Sequence, residues 1–206
     1  MTRNGTPDAP PRLECDGLRV GDCSVPPFRV GAGRSVCLHV PLPSPAWWDR
    51  LVPLLTGKRA HPALRFFGSV ASLDRPMPRR HWWGRLHDPS VRDWLVAEKG
   101  LTPAEASSVL GRVGLPGDIR IGRVGWNERT LLALEACLLR PADLLVFDTG
   151  GNDPRGVSSI LQRLAARPPG LSLLYVKARL SADEPCLSGA ECVSLGCRPL
   201  QPSAAE

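Results

Sequence analysis

The stretch IGRVGWNERTLLALEACLLRPADLLVFDTGGND, residues Ile121 to Asp153, decides the fold. From Glu128 to Leu139 it runs without Gly or Pro through good helix formers. Leu131, Leu134 and Leu138 recur at helical spacing, and Leu132, Ala136 and Leu139 widen the apolar face. This predicts one largely buried helix, whose single charge in its second half, Glu135, points to solvent or to a polar partner. Pro141 ends the helix. Asp143-Leu-Leu-Val-Phe-Asp148 then follows, a short apolar run closed by a carboxylate, which suits a strand covered on both faces. A helix feeding a buried strand implies an α/β protein with a parallel sheet.

Outward from this unit the pattern continues. After Gly150 and Gly151, the segment Pro154 to Ala166 carries Val157, Ile160, Leu161 and Leu164 at helical spacing, and Leu171 to Val176 reads as a second buried strand. Upstream, Thr102-Pro-Ala-Glu105 is a capping box with Pro at the first helical position; its helix runs through Ala106 to Val113 and stops near Gly114. Leu13 to Val20, Phe28 to Val30 and Ser35 to Val40 read as short strands split by turn residues, so the N-terminal part is strand-rich. Asp49 to Thr56 is expected to be helical, with Pro53 in its first turn or kinking it, and Gly57 as the stop. These patterns divide the chain into a flexible N-terminus (1–11), one domain (12–180), and a segment (181–206) that is a tail or a partner-binding extension.

Composition sets further bounds. A chain of 206 residues, 43% hydrophobic and 22% charged, can bury a sizeable core. No run approaches the roughly 20 apolar residues that cross a bilayer. Met1 to Pro11 lacks the apolar centre of a signal peptide, so a cytoplasmic location is expected. Seven cysteines, an odd count, point to thiols rather than a disulfide framework. Cys186, Cys192 and Cys197 match no paired metal knuckle and have no histidine near them, so no metal is expected. The net charge of +6 is dispersed, with Lys58-Arg59 and Arg79-Arg80 the adjacent basic pairs; this favours a solvated surface over a nucleic-acid partner.

The order of segments around Ile121 to Asp153 resembles the nucleotide-binding domain of the ABC transporter ATPases, and the likeness covers roughly residues 12 to 180. It implies a P-loop NTPase-like ABC core with a mixed or antiparallel β N-terminal part and a small helical insertion. Aligned on the helix and strand, the family's signature loop L-S-G-G-Q falls on Val124-Gly125-Trp126-Asn127-Glu128, with Arg129 continuing it. The Walker B aspartate falls on Asp148, and Asn152-Asp153-Pro154 resembles the D-loop, reached two residues early. The chemistry of the site is largely replaced. Thr149 stands where the family has its catalytic glutamate, and Ala178 where it has the switch histidine; the Q-loop glutamine falls near His87. The phosphate loop falls on Leu42-Pro-Ser-Pro-Ala-Trp-Trp-Asp49, so Trp47 fills a glycine position, Trp48 replaces the lysine and Asp49 replaces the magnesium-binding hydroxyl. Prolines remove N–H donors, and a carboxylate opposes phosphate. Each charge-assisted hydrogen bond lost is worth roughly 1.5–3 kcal/mol, so ATP and magnesium binding is expected to be weak or absent.

The resemblance therefore implies a pseudo-ATPase: a noncatalytic subunit, structural or regulatory, that joins a membrane permease and/or an intact ABC ATPase subunit as a hetero-oligomer at the inner face of the membrane. Trp126 and Asn127 fill both signature glycines, which weakens service to a partner's ATP. The region from His87 to Trp94 would be permease-facing, with Trp82, Trp83 and Trp94 as interface anchors. Asp148 also suits a simple turn or helix cap, and Trp47, Trp48, Trp82 and Trp83 suit packing over a vacated site. A soluble pseudo-ATPase scaffold or regulator without a membrane partner is the alternative.

Overall fold

The computed structural model describes residues 9–21, 23–40, 45–77, 79–80, 86–178 and 189–197. The strand-rich start resolves into β1 (Pro11–Cys15), β2 (Leu18–Val20), β3 (Cys23–Val25), β4 (Phe28–Gly31) and β5 (Ser35–Val40). Then come α1 (Pro45–Leu55), β6 (Leu64–Phe66), β7 (Val70–Ser72) and the short strands β8 (Arg79–Arg80) and β9 (Leu86–His87). Helices α2 (Val91–Ala97) and α3 (Pro103–Val113) precede a 3-10 turn at Ile121–Arg123, α4 (Trp126–Leu138), β10 (Leu144–Phe147), α5 (Pro154–Ala165) and β11 (Ser172–Ala178). The described chain closes with β12 (Glu191–Ser194) and β13 (Gly196–Cys197).

The centre is a five-stranded sheet in the order β12-β5-β11-β10-β7, parallel at every pairing. Alternation along β10 shows why it reads as an unbroken apolar run. Leu145 and Phe147 join Leu132, Leu110 and Ile160 on the face covered by α2 to α5. Leu144 and Val146 join Leu13, Val30, Leu51 and Leu55 on the other, under α1 and the antiparallel sheet β4-β1-β6. Each such leucine contributes roughly 1.5–3 kcal/mol on burial. The fold is therefore an α/β layer structure with an antiparallel N-terminal part, as the sequence implied. The α2–α3 pair stands where a small helical insertion is expected.

Local signals explain the helix ends. Thr102 caps α3 through a full capping box with Glu105, and Gly114 ends it in the left-handed conformation. Asp153 caps α5 by accepting from the Gly156 N–H at 2.8 Å, and Pro154 follows at the first position. Glu135 does find polar partners. It is 4% exposed and lies between Arg112, whose Nε is 2.9 Å from it, and Arg163, so one carboxylate ties α3, α4 and α5 together.

Two boundaries differ from expectation. Helix α1 begins at Pro45, four residues ahead of Asp49, because proline's fixed φ and missing N–H suit a first helical position; Pro53 lies near its end rather than its start. Segment 181–206 is not wholly a tail. Its β12 pairs with β5 on the edge of the central sheet, and β13 pairs with β3 in the small sheet β13-β3-β2. Among the described residues, no helix is long and apolar enough to cross a membrane.

Candidate functional site

In open parallel sheets, ligands bind beyond the carboxyl ends of the strands. Here that edge is formed by Val40 on β5, Ala178 opposite it on β11, and Asp148 just past β10. Register thus brings three of the sequence-derived positions, 148, 149 and 178, to one edge. Helix α1, whose first turn carries Trp47, Trp48 and Asp49, follows β5 there. Position 178 carries a methyl group and no proton donor.

Asp148 is held tightly. Its Oδ1 accepts from the Gly150 N–H at 2.7 Å, which caps the turn after β10, and from Arg75 Nη2 at 2.9 Å. The same Arg75 nitrogen donates to the Asp148 carbonyl at 3.1 Å, while Arg75 Nε donates to Thr130 Oγ1 at 2.9 Å. The guanidinium also lies 5.4 Å from the centre of the Trp126 ring, within cation–π range. Arg75 and Asp148 side chains are 14% and 17% exposed, so this pair is partly desolvated. Next along the chain, Thr149 shares a 2.7 Å hydrogen bond with the Tyr175 hydroxyl, and Tyr175 stacks on Phe147 at 4.8 Å between centroids. A threonine hydroxyl bonded this way is no general base.

The signature-loop positions are built into this edge. Gly125 is the N-cap of α4, with Trp126 as its first residue. Trp126 Nε1 donates to the Gly150 carbonyl at 2.9 Å, and Asn127 Oδ1 accepts from the Asp153 N–H at 3.3 Å. Two glycines make room for these side chains. At Gly151, φ is +77° and a Cβ would come within 2.5 Å of Trp126 Nε1; at Gly156 it would run into the Asn127 amide. Glu128 folds back beside Gly125. The bulky side chains of Trp126 and Asn127 are thus matched by glycines across the contact.

Arg75 is the residue that sequence reasoning missed. It stands 73 positions before Asp148, just beyond the edge strand β7, and only the parallel pairing of β7 with β10 brings it there. The only local signal is its place after a short β-branched and small-residue strand. His87, expected near the site, lies in β9, paired with β8 in a separate two-stranded ribbon. Trp94 is a correction. As part of α2 it is 9% exposed and belongs to the core beside Leu95 and Leu110, with Lys99 Nζ 5.1 Å from its ring, so it is not a surface anchor. An isolated Trp on an amphipathic helix reads equally as core or interface, and here burial wins. Trp82 and Trp83 lie outside the described residues.

A cation at the end of β10 would compete with Arg75. Asp148 Oδ1 and its carbonyl and Thr130 Oγ1, oxygens a hard cation would also use, already receive N–H donors from Arg75 and Gly150. Among the described residues, no three His, Cys, Asp or Glu side chains converge on another metal site.

The layered sheet, with a helix feeding β10 and a carboxylate at its end, has the fold seen in ATP-binding cassette ATPase domains. No protein-family model matches the chain, and no curated protein matches it. Solved structures do. The chain is similar to a nucleotide-free ATP-binding cassette from an ABC transporter, with a TM-score of 0.58 at 13% identity over 82% of each chain. It is also similar to cbiO1 from Clostridium perfringens, part of the ABC transporter complex cbiONQ, with a TM-score of 0.54 at 14% identity over 82% of this chain and 79% of that one. A third likeness is to the archaeal ribosome recycling factor aABCE1, solved with the ribosomal stalk protein aP1. There the TM-score is 0.51 at 18% identity, covering 94% of this chain and 40% of that one.

Proposed function

We propose that this chain is a noncatalytic ABC-type subunit, a pseudo-ATPase that acts as a structural or regulatory component of a transport complex. The observation that carries the reading is the Thr149–Tyr175 hydrogen bond at the place where the resemblance puts the catalytic base. No carboxylate follows Asp148, and position 178 offers no imidazole. The proline-rich sequence following β5, with Trp48 and Asp49 in place of lysine and hydroxyl, argues against tight ATP or magnesium binding. The partners are a membrane permease and/or an intact ABC ATPase subunit in a hetero-oligomer, which places the chain peripherally at the inner face of the membrane; nucleic acid is not a partner. The similarity to cassette subunits of transporters supports this assignment.

The second reading is a soluble scaffold or regulator without a membrane partner, and the likeness to a ribosome recycling factor favours it. Affinity purification of the tagged chain from mild-detergent extracts, with mass spectrometry of co-purifying proteins, separates the two. Recovery with a multi-span permease or an intact ABC ATPase supports the transporter subunit; recovery with soluble proteins only, or alone, rejects it.

A further inference from the structure

Asp148 needs a positive neighbour, and the chain supplies its own. We propose that Arg75 is a built-in counter-ion that permanently fills the cation position at the end of β10, so that the site is closed by a side chain and is indifferent to divalent metal. Arg75 aims Nη2 at both the carboxylate and the carbonyl of Asp148, at 2.9 and 3.1 Å, and Nε at Thr130 Oγ1 at 2.9 Å. Those three oxygens belong to a strand end and a helix and form a small cup lined by hard donors. A guanidinium presents planar, fixed N–H groups to such a cup and cannot lose its charge. The indole of Trp126 covers the outer side of the guanidinium and is itself tied to Gly150.

This has a mechanical result. A bound metal comes and goes with its ligand, whereas Arg75 is covalently part of the loop after β7. The edge strand, the first turns of α4 and the turn after β10 are thereby held in one arrangement whatever the nucleotide state of a partner. Thr130 strengthens the lock: its hydroxyl accepts from Arg75 and donates to the Trp126 carbonyl at 3.1 Å, so the same contact reaches both sides of the helix start.

The proposal deepens the noncatalytic reading of the same site, but its test uses the purified chain alone, so either can fail without the other. Melting temperatures are measured in metal-free buffer and with added Mn2+ for the native protein, Arg75→Gln, Asp148→Asn and the double variant. Arg75→Met serves if Arg75→Gln fails to fold. The native protein should show the same melting temperature with and without millimolar Mn2+. Arg75→Gln should lose about 3–6 °C and regain part of it on adding Mn2+, and the double variant should show no Mn2+ response. A saturable Mn2+ stabilisation of the native protein that Asp148→Asn abolishes would overturn the proposal. So would an Arg75 variant as stable as the native protein, or one whose Mn2+ response equals that of the double variant.

Discussion

The two ends of the central sheet are held by the same kind of chemistry. At the amino edge, Asp143 accepts from the Ser69 N–H at 2.9 Å and its hydroxyl at 3.0 Å, with Arg12 Nη2 3.0 Å away. Arg167 binds the carbonyls of Leu171, Leu164 and Gly33 and the Ser35 hydroxyl. At the carboxyl edge, Asp148 is held by Arg75 and the Gly150 N–H, and Asp153 by Gly156 and Asn127. Amino edges of such sheets are ordinarily scaffolding and carboxyl edges ordinarily bind ligands. Here the carboxyl edge is wired like the amino edge, with the carboxylates of Asp148 and Asp153 paired inside the chain. The lesson is that an edge can keep its position in a fold while its polar groups turn inward.

Substitutions at matched places on the two edges test that parallel. The largest contrast is between glycines. Gly151→Ala combines strain at positive φ with collision against the Trp126 ring, and should destabilise by roughly 2–4 kcal/mol. Gly33→Ala at the amino edge, also at positive φ but with nothing nearer than 3.9 Å, should cost only about 1 kcal/mol. Urea unfolding of both variants decides; equal losses would show that the Trp126 contact at the carboxyl edge is loose. Next come the arginines. Arg75→Ala, which breaks a partly desolvated pair, should lose about 1–3 kcal/mol, and Arg167→Ala, which removes bonds to neutral acceptors, about 1–2 kcal/mol. A negligible loss at Arg75 alone would end the likeness between the edges.

Acid titration gives a smaller effect. The Ser69 backbone and hydroxyl bonds, helped by Arg12, hold the Asp143 carboxyl below its ordinary value of 3.8. The Gly156 backbone bond, helped by Asn127, does the same for Asp153. A lowered folded-state value means stability that is present above about pH 4 and lost as pH falls through the folded value. Asp143→Asn and Asp153→Asn should each flatten the fall of the urea midpoint below about pH 4, and an unchanged slope in one would show that its edge is unbonded in solution. The last test leaves stability untouched. Burial pushes the Cys137 thiol up to about 11, and its Sγ lies 3.4 Å from the Ser72 carbonyl at the end of β7, whereas Cys192 is exposed. At pH 8 Cys192 should label at least about tenfold faster than Cys137. Fast labelling of Cys137 would report opening of the carboxyl side.

How far the sequence carried this fold depended on the length of each pattern. Helix α4 and strand β10 were legible to within two residues because the periodicity is long and ends at Pro141 and a carboxylate; the capping box fixed α3 outright. Helix α1 starts earlier than its apolar pattern implies because Pro45, within a proline-rich run, also suits a first helical position. Strands β12 and β13 carry no apolar run, since β12 is a mostly exposed edge strand that packs only Val193 against the core, and such strands leave little trace in composition. The site divides the same way. The places of Asp148 and Thr149 just past β10, and of Trp126 and Asn127 at the start of α4, followed from spacing along one helix and strand. Arg75 could not, because its partnership is set by which strands lie side by side, and Trp94 was misplaced because its burial depends on how α2 meets α3 and α4.

Strand β5 carries one more consequence. Val36 lies between Leu174 on β11 and Glu191 on β12, both far downstream. During synthesis this buried apolar strand therefore emerges long before either neighbour exists, and closing these distant pairs is slow. Until then it is an unpaired hydrophobic edge that chaperones or a co-translated partner would have to shield. Limited proteolysis of ribosome-stalled chains should show β5 protected only once residues up to 194 have left the exit tunnel; protection in shorter chains would mean that another segment covers it first.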